Sequence, residues 1–175
     1  VIGSIHHIPL KNTLFGVDSS IEETRDYLAA FGSADAAAEA YFRQYEALAS
    51  IEEVNIVGHI DLLTKFDEQR AFFNPDSPRF FEAAIAGIET LIAADKIFEI
   101  NTGAISRGYR TTPYPSRTLL KEISLRSGKI TISADAHCAR DVNFQFEEAA
   151  ALARSCGVSE IWQFDGKDFA PVPLK

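Results

Sequence analysis

Four histidines and an aspartate carry most of the chemistry this sequence could do, and each histidine lies at or just past the end of a strand-like run. His6 and His7 close Ile2-Gly3-Ser4-Ile5, His59 closes Asn55-Ile56-Val57-Gly58 and is followed by Asp61, and His137 follows Ser133-Ala134-Asp135-Ala136. Asp135 and His137 stand two apart, a spacing that in an extended segment turns both side chains to one side. Imidazole nitrogens and a carboxylate oxygen gathered in this way suit a divalent transition metal such as Zn, Mn or Fe, whereas an all-oxygen set would suit Mg or Ca. A single histidine at a strand end is more often a hydrogen-bonded structural residue than a ligand, but four such placements weigh against that reading. Neighbouring strand residues point to opposite faces, so His6 and His7 cannot both face one site.

A second chemical feature is the segment Glu99-Ile100-Asn101-Thr102-Gly103-Ala104-Ile105-Ser106-Arg107-Gly108-Tyr109-Arg110, which places two arginines among glycines. Glycine lets backbone approach a ligand, and a guanidinium fork matches the oxygens of a phosphate. An arginine-bearing loop is as readily a solvated one. From the residues alone, a phosphate site and an exposed loop stay equally open.

The elements that must hold these residues read as strands alternating with helices. Strands are expected over Val1–Ile8, Asn55–Asp61, Ile97–Asn101, Ile130–Ala134 and Glu160–Phe164, all short, apolar and rich in β-branched residues. Ser20 and Glu23 form a capping-box pattern ahead of a helix over Arg25–Phe31, with Gly32 as its left-handed C-terminal cap. Tyr41, Tyr45, Leu48 and Ile51 recur at helical spacing, as do Phe81, Ile85, Ile88 and Ile92 after Pro78. Two more helices are expected from Ser116 and Asp141, ending before Gly128 and Gly157. Near-continuously apolar strands alternating with helices form parallel β/α units, in a barrel or an open sheet, and such folds place their chemistry in the loops after the strands.

Composition narrows the class. In 175 residues, 46% hydrophobic, there is material for one sizeable core, and no linker or repeat divides it. A net charge of -8 without a basic tract disfavours nucleic acid as a partner. Cys138 and Cys156 fit neither a disulfide framework nor a paired metal motif, which suits a reducing cytoplasm. No run approaches the roughly 20 apolar residues that a membrane span needs, so no membrane partner is expected. The chain opens at Val1 inside a strand-like run and contains no methionine, so it is read as a fragment; omission of modified methionines from the sequence is the alternative.

Gly3-Ser4-Ile5-His6, Gly58-His59-Ile60-Asp61-Leu62, Glu99-Ile100-Asn101-Thr102 and Ser133-Ala134-Asp135-Ala136-His137 resemble, in order and spacing, the later motifs of the PHP family of metal-dependent phosphoesterases, specifically its histidinol-phosphatase branch. The resemblance covers nearly the whole chain. It implies an α/β fold, the C-terminal portion of a distorted (β/α)7 TIM-like barrel, here a single N-terminally truncated domain over residues 1–175, with up to three metals at the C-terminal ends of the strands. It implies that His6 and His59 ligate one metal, Asp135 a second and His137 a third, with His7 structural. Ser133-Ala134-Asp135 departs from the usual serine directly before the aspartate, which removes the basis for a contact from Ser133. Loop chemistry assigns Arg107 and Arg110 to phosphate oxygens, and Asn101 in the same segment is a further substrate contact. The reaction implied is hydrolysis of a phosphomonoester by a metal-activated hydroxide, with L-histidinol phosphate giving L-histidinol and phosphate in histidine biosynthesis. The alternatives are another small phosphate ester as substrate of the same family, or a catalytically incomplete fragment. Family members begin with a strand bearing two alternate histidines, then a further histidine and a metal-bridging glutamate. None of these is present, so the site is expected to be incomplete, and an oligomer, a swapped segment or the missing piece to cover open sheet edges.

Overall fold

A computed structural model describes residues 1–174. The chain runs β1 (Ile2–Gly3), β2 (His7–Leu10), β3 (Thr13–Gly16), α1 (Ile21–Phe31), α2 (Ala34–Ala49), β4 (Ile56–Val57), α3 (Pro78–Ala93), β5 (Ile97–Asn101), α4 (Gly103–Ser106), α5 (Arg117–Leu125), β6 (Lys129–Ser133), α6 (Phe146–Ser155), β7 (Glu160–Phe164) and β8 (Phe169–Pro173), with single 3-10 turns at Leu62–Thr64 and Ala139–Asp141. The mixed α/β class with a parallel sheet agrees with the expectation from sequence. β1, β4, β5 and β6 form that sheet in sequence order, with Ile2 opposite Ile56, Ile56 opposite Ile97 and Ile97 opposite Lys129. Because all four strands are parallel, their C-terminal ends lie on one side of the sheet, with β5 and β6 running three residues further in register than β1 and β4. β5 is buried along its whole length, as a central parallel strand covered on both faces requires.

Several expected elements differ. The strand expected over Asn55–Asp61 is only Ile56–Val57, because His59 leaves the extended region at φ 26° and the chain enters the Leu62–Thr64 turn. The run Val1–Ile8 is not one strand: β1 ends at Gly3, and from His7 the chain turns out into the antiparallel hairpin β2–β3, with His7 opposite Gly16 and Lys11 at φ 54° in its tip. β7 has the bounds expected for it but lies in a separate antiparallel pair with β8. Its outward residues are exposed rather than buried, and Pro171 and Pro173 in β8 fit only a strand with an open edge. The helix expected from Asp141 starts at Phe146. Asp141 instead ends a 3-10 turn and accepts a hydrogen bond from Cys138 Sγ at 2.8 Å.

The helices form where capping and apolar spacing direct. In α1, Ser20 Oγ accepts from Glu23 N, but the Glu23 carboxylate reaches Gly16 N at 2.8 Å rather than its own cap, so half of the expected box ties the helix to β3. Ser33 and Ser77 cap α2 and α3 by the same device, and Ser77 Oγ also donates to Asp35 Oδ1 of α2 at 2.7 Å. α2 and α3 pack over the sheet through Phe42 and Phe80, whose rings meet edge to face at 5.5 Å. Two buried hydroxyls extend this packing towards the strand ends: Tyr41 and Tyr45 share a hydrogen bond, and Tyr45 Oη donates to the Ile60 carbonyl at 3.0 Å.

Phe42 is 1% exposed at the centre of this packing. Phe42→Ala is therefore expected to lower unfolding free energy by about 3–5 kcal/mol, read from urea denaturation followed by far-UV circular dichroism.

Candidate functional site

Along the C-terminal edge of the sheet opens a cavity of about 510 Å³, lined among others by His6, His59, Arg107, Asp135 and His137. They arrive from four strand ends. His6 follows β1, His59 follows β4, Arg107 stands just past α4 after β5, and Asp135 with His137 follows β6.

The His6 and His59 rings meet edge to face with centroids 5.0 Å apart. His6 Nδ1 lies 3.1 Å from Asp18 Oδ1, and this hydrogen bond holds the imidazole's pKa above its usual value. Burial opposes ionisation of Asp18, but the His6 hydrogen bond and nearby cations bring its carboxyl below the usual range. His59 is the opposite case. It is 6% exposed, its Nδ1 is buried without a hydrogen-bond partner, and burial pulls its pKa down. Its backbone sits at φ 26°, a sparsely populated region for a residue of this size, and such strain concentrates at functional sites. Glu99 Oε1 holds this conformation by accepting from His59 N at 2.8 Å, while also accepting from Asn101 Nδ2 at 2.7 Å. Glu99 is buried, and among the described residues no lysine or arginine forms an ion pair with it. Asp61, two residues on, is fully enclosed. Burial raises its carboxyl pKa, against which the Arg110 charge and a hydrogen bond from Ser116 N at 2.8 Å act.

Asp135 and His137 do converge, but not by strand alternation. β6 ends at Ser133, and Asp135 adopts φ 45°, a left-handed turn that aspartate tolerates better than most residues. Arg107 then joins the two. Its Nη1 lies 2.8 Å from the Asp135 carbonyl and 2.8 Å from His137 Nδ1, and its Nη2 donates to Asp135 Oδ2 at 3.1 Å. Gly103 makes the close approach possible: a Cβ there would stand 2.7 Å from the Ala134 carbonyl and 3.0 Å from Arg107 Nη1.

The geometry does not support substrate contacts from Asn101 and Arg110. Asn101 is 1% exposed, its amide linking Glu99 to Gly103 N, and Arg110 is 8% exposed. Arg110 stacks on Tyr114 and donates to the Thr64 carbonyl and hydroxyl and to Thr112. Both side chains brace the loop under the cavity. His7 begins β2 opposite Gly16, is exposed, and does not line the cavity. Asp18, Lys65, Tyr109 and Tyr114 line the cavity without having been legible as site residues. Three of them are tied together, as Lys65 Nζ stands over the Tyr109 ring at 4.6 Å and donates to the Asp18 carbonyl at 2.8 Å.

The donor set suits a divalent transition metal in kind, and the unpartnered Nδ1 of His59 marks an unmet polar valence beside it. In number it is partial: among the described residues, no three His, Cys, Asp or Glu side chains are grouped closely enough to hold one ion.

An α/β protein with imidazole, carboxylate and guanidinium groups at the C-terminal edge of a parallel sheet is the class that fold and site define. Comparison with known proteins narrows it. The chain is 27% identical over 165 residues to the probable histidinol-phosphatase of Schizosaccharomyces pombe, covering 91% of this chain and 51% of that protein. Its fold matches the hisK protein of Listeria monocytogenes with a TM-score of 0.72 at 18% identity, covering 84% of this chain and 56% of the other. It also matches the histidinol phosphate phosphatase of Lactococcus lactis, solved with zinc, L-histidinol and phosphate, with a TM-score of 0.66 at 20% identity over 97% of this chain and 60% of the other. No family profile matches the chain. The resemblance read from its motifs, to the histidinol-phosphatase branch of the PHP family, is borne out by these relatives, and the chain spans about half the length of the curated one.

Gly103→Ala is expected to push the Asp135 turn and Arg107 apart, costing about 1–3 kcal/mol as an overpacked position does. Denaturant unfolding gives the cost, and the backbone amide shift of Asp135 in NMR spectra reports the displacement.

Proposed function

We propose that this chain supplies part of the active site of a metal-dependent phosphomonoesterase that hydrolyses L-histidinol phosphate to L-histidinol and phosphate. The observation that carries the reading is the arrival of His6, His59, Asp135 and His137, from three strand ends, at one cavity that also holds Arg107. Similarity to histidinol-phosphatases in sequence and fold supports the substrate.

Under this reading those four residues hold divalent transition metal, zinc being the ion found in the Lactococcus lactis relative. Bound metal supplies a hydroxide nucleophile at neutral pH and offsets charge on the phosphoryl oxygens. Arg107 lines the cavity, and on this reading its guanidinium exchanges its contacts with Asp135 and His137 for the non-bridging phosphate oxygens. Lys65 adds a second cation to the cavity lining, so a net-acidic protein still offers an anion local attraction. Glu99 and Asn101 hold the strand ends in place beneath.

The same reading makes residues 1–175 one domain and the four-stranded sheet a segment of a (β/α)7 barrel in a cytoplasmic enzyme. Further strands, from beyond this chain or from a second copy, would cover the free edge of β1. No helix among the described residues is long and apolar enough to cross a membrane. The partial donor set favours a second reading, in which this chain binds metal weakly by itself and turnover needs ligands from elsewhere, since affinity falls with each ligand lost.

Phosphate release from L-histidinol phosphate, measured with added zinc or manganese, tests both. His59→Ala and Asp135→Ala are expected to lower kcat/KM by about 100-fold or more, at or beyond the upper end of losses at outer-shell residues. Arg107→Ala should raise KM more than it lowers kcat. Equal turnover in wild type and variants would remove the assignment, and zinc uptake without turnover would select the second reading.

A further inference from the structure

Asp18 reaches the cavity by an indirect route. The chain leaves the sheet after β1, makes the β2–β3 hairpin and comes back, and the Val17 amide closes the base of that excursion by donating to the His6 carbonyl at 2.9 Å. Asp18 is the next residue, and the return sets its carboxylate 3.1 Å from His6 Nδ1. Lys65 holds it from the other side, with Nζ donating to the Asp18 carbonyl at 2.8 Å and lying 3.5 Å from Oδ2. An ionised carboxylate only accepts, so a neutral His6 in this contact carries its proton on Nδ1.

We propose that Asp18 is a positioning residue that fixes the ring and tautomer of His6, leaving Nε2 as the unprotonated nitrogen offered to the cavity, with Lys65 keeping Asp18 in that role. The inference rests on the reading of His6 as a metal ligand. Carboxylates behind ligating histidines fix tautomer and ring plane and raise ligand basicity, and their loss typically weakens metal binding 10–100-fold. Lys65 adds specificity to the arrangement. Its charge and its grip on the Asp18 backbone keep that carboxylate from swinging into the cavity as a competing ligand. A plain structural ion pair closing the hairpin is the rival, and it makes no demand on the tautomer or on metal affinity.

Long-range proton–nitrogen NMR of the imidazoles, at a pH well above the His6 titration, separates the two. Wild-type His6 is expected in the Nδ1–H form, and in Asp18→Ala it should pass to a mixture or to Nε2–H, with zinc affinity from calorimetric titration falling about tenfold or more. Asp18→Asn, which keeps the size and a neutral acceptor, guards against a folding defect and should lie between the two. A wild-type His6 already protonated at Nε2, or a tautomer unchanged in Asp18→Ala, overturns the proposal. Zinc affinity unchanged by Asp18→Ala overturns it as well. If wild type takes up no zinc even at concentrations that saturate a weak site, the ligand reading of His6 has failed, and the tautomer comparison still decides whether Asp18 orients the ring.

Discussion

In-register parallel pairing of β4, β5 and β6 fixes where everything else can be. With Ile56, Ile97 and Lys129 side by side, the strands start level and run the same way, so the residues that follow them emerge into one neighbourhood before any of them interacts. Backbone hydrogen bonds alone do not shape that neighbourhood. The Glu99 carboxylate does, by joining the His59 amide to the Asn101 side chain and so coupling the turn after β4 to the turn after β5. An acceptor buried between two strand ends is costly to leave unpaired, which makes the two turns interdependent.

The helices contribute by fixing that edge from behind. Tyr45 reaches from α2 to the Ile60 carbonyl, and the Asp61 carboxylate takes up the Ser116 amide at the start of α5. The two residues after His59 are thus held by two different helices while its own backbone stays in an unfavourable conformation. Such strain persists only where the surroundings over-determine it. Arg107 plays the matching part across the cavity, holding a left-handed aspartate and the histidine two residues on.

Most of this was legible in the sequence, for identifiable reasons. β5, buried on both faces, reads as an unbroken apolar run with the bounds it has. His6, His59, Asp135 and His137 could be picked out because residues with few structural uses recur at strand ends. What failed did so where long-range geometry decides. Val1–Ile8 is uniformly strand-like, and nothing local says that the pairing partner changes from β4 to β3 within it. Arg110 and Arg107 are alike in sequence context, yet one is buried against Thr64 and Tyr114 and the other, held by Asp135 and His137, lines the cavity. Asp18 lies in a loop of ordinary composition, and only the closure of the hairpin brings it to His6.

The β2–β3 hairpin stands between two residues whose separation is set at its base and not at its tip. Val17 pairs with His6 whatever happens around Lys11 and Asn12. The ribbon could therefore grow or shrink by matched pairs of residues, each step preserving which side chains face inward, while the His6 and Asp18 side chains kept their distance. Related chains are free to differ widely in length at this point, and a sequence alignment that scores the gap as divergence would misjudge how little of the cavity has changed.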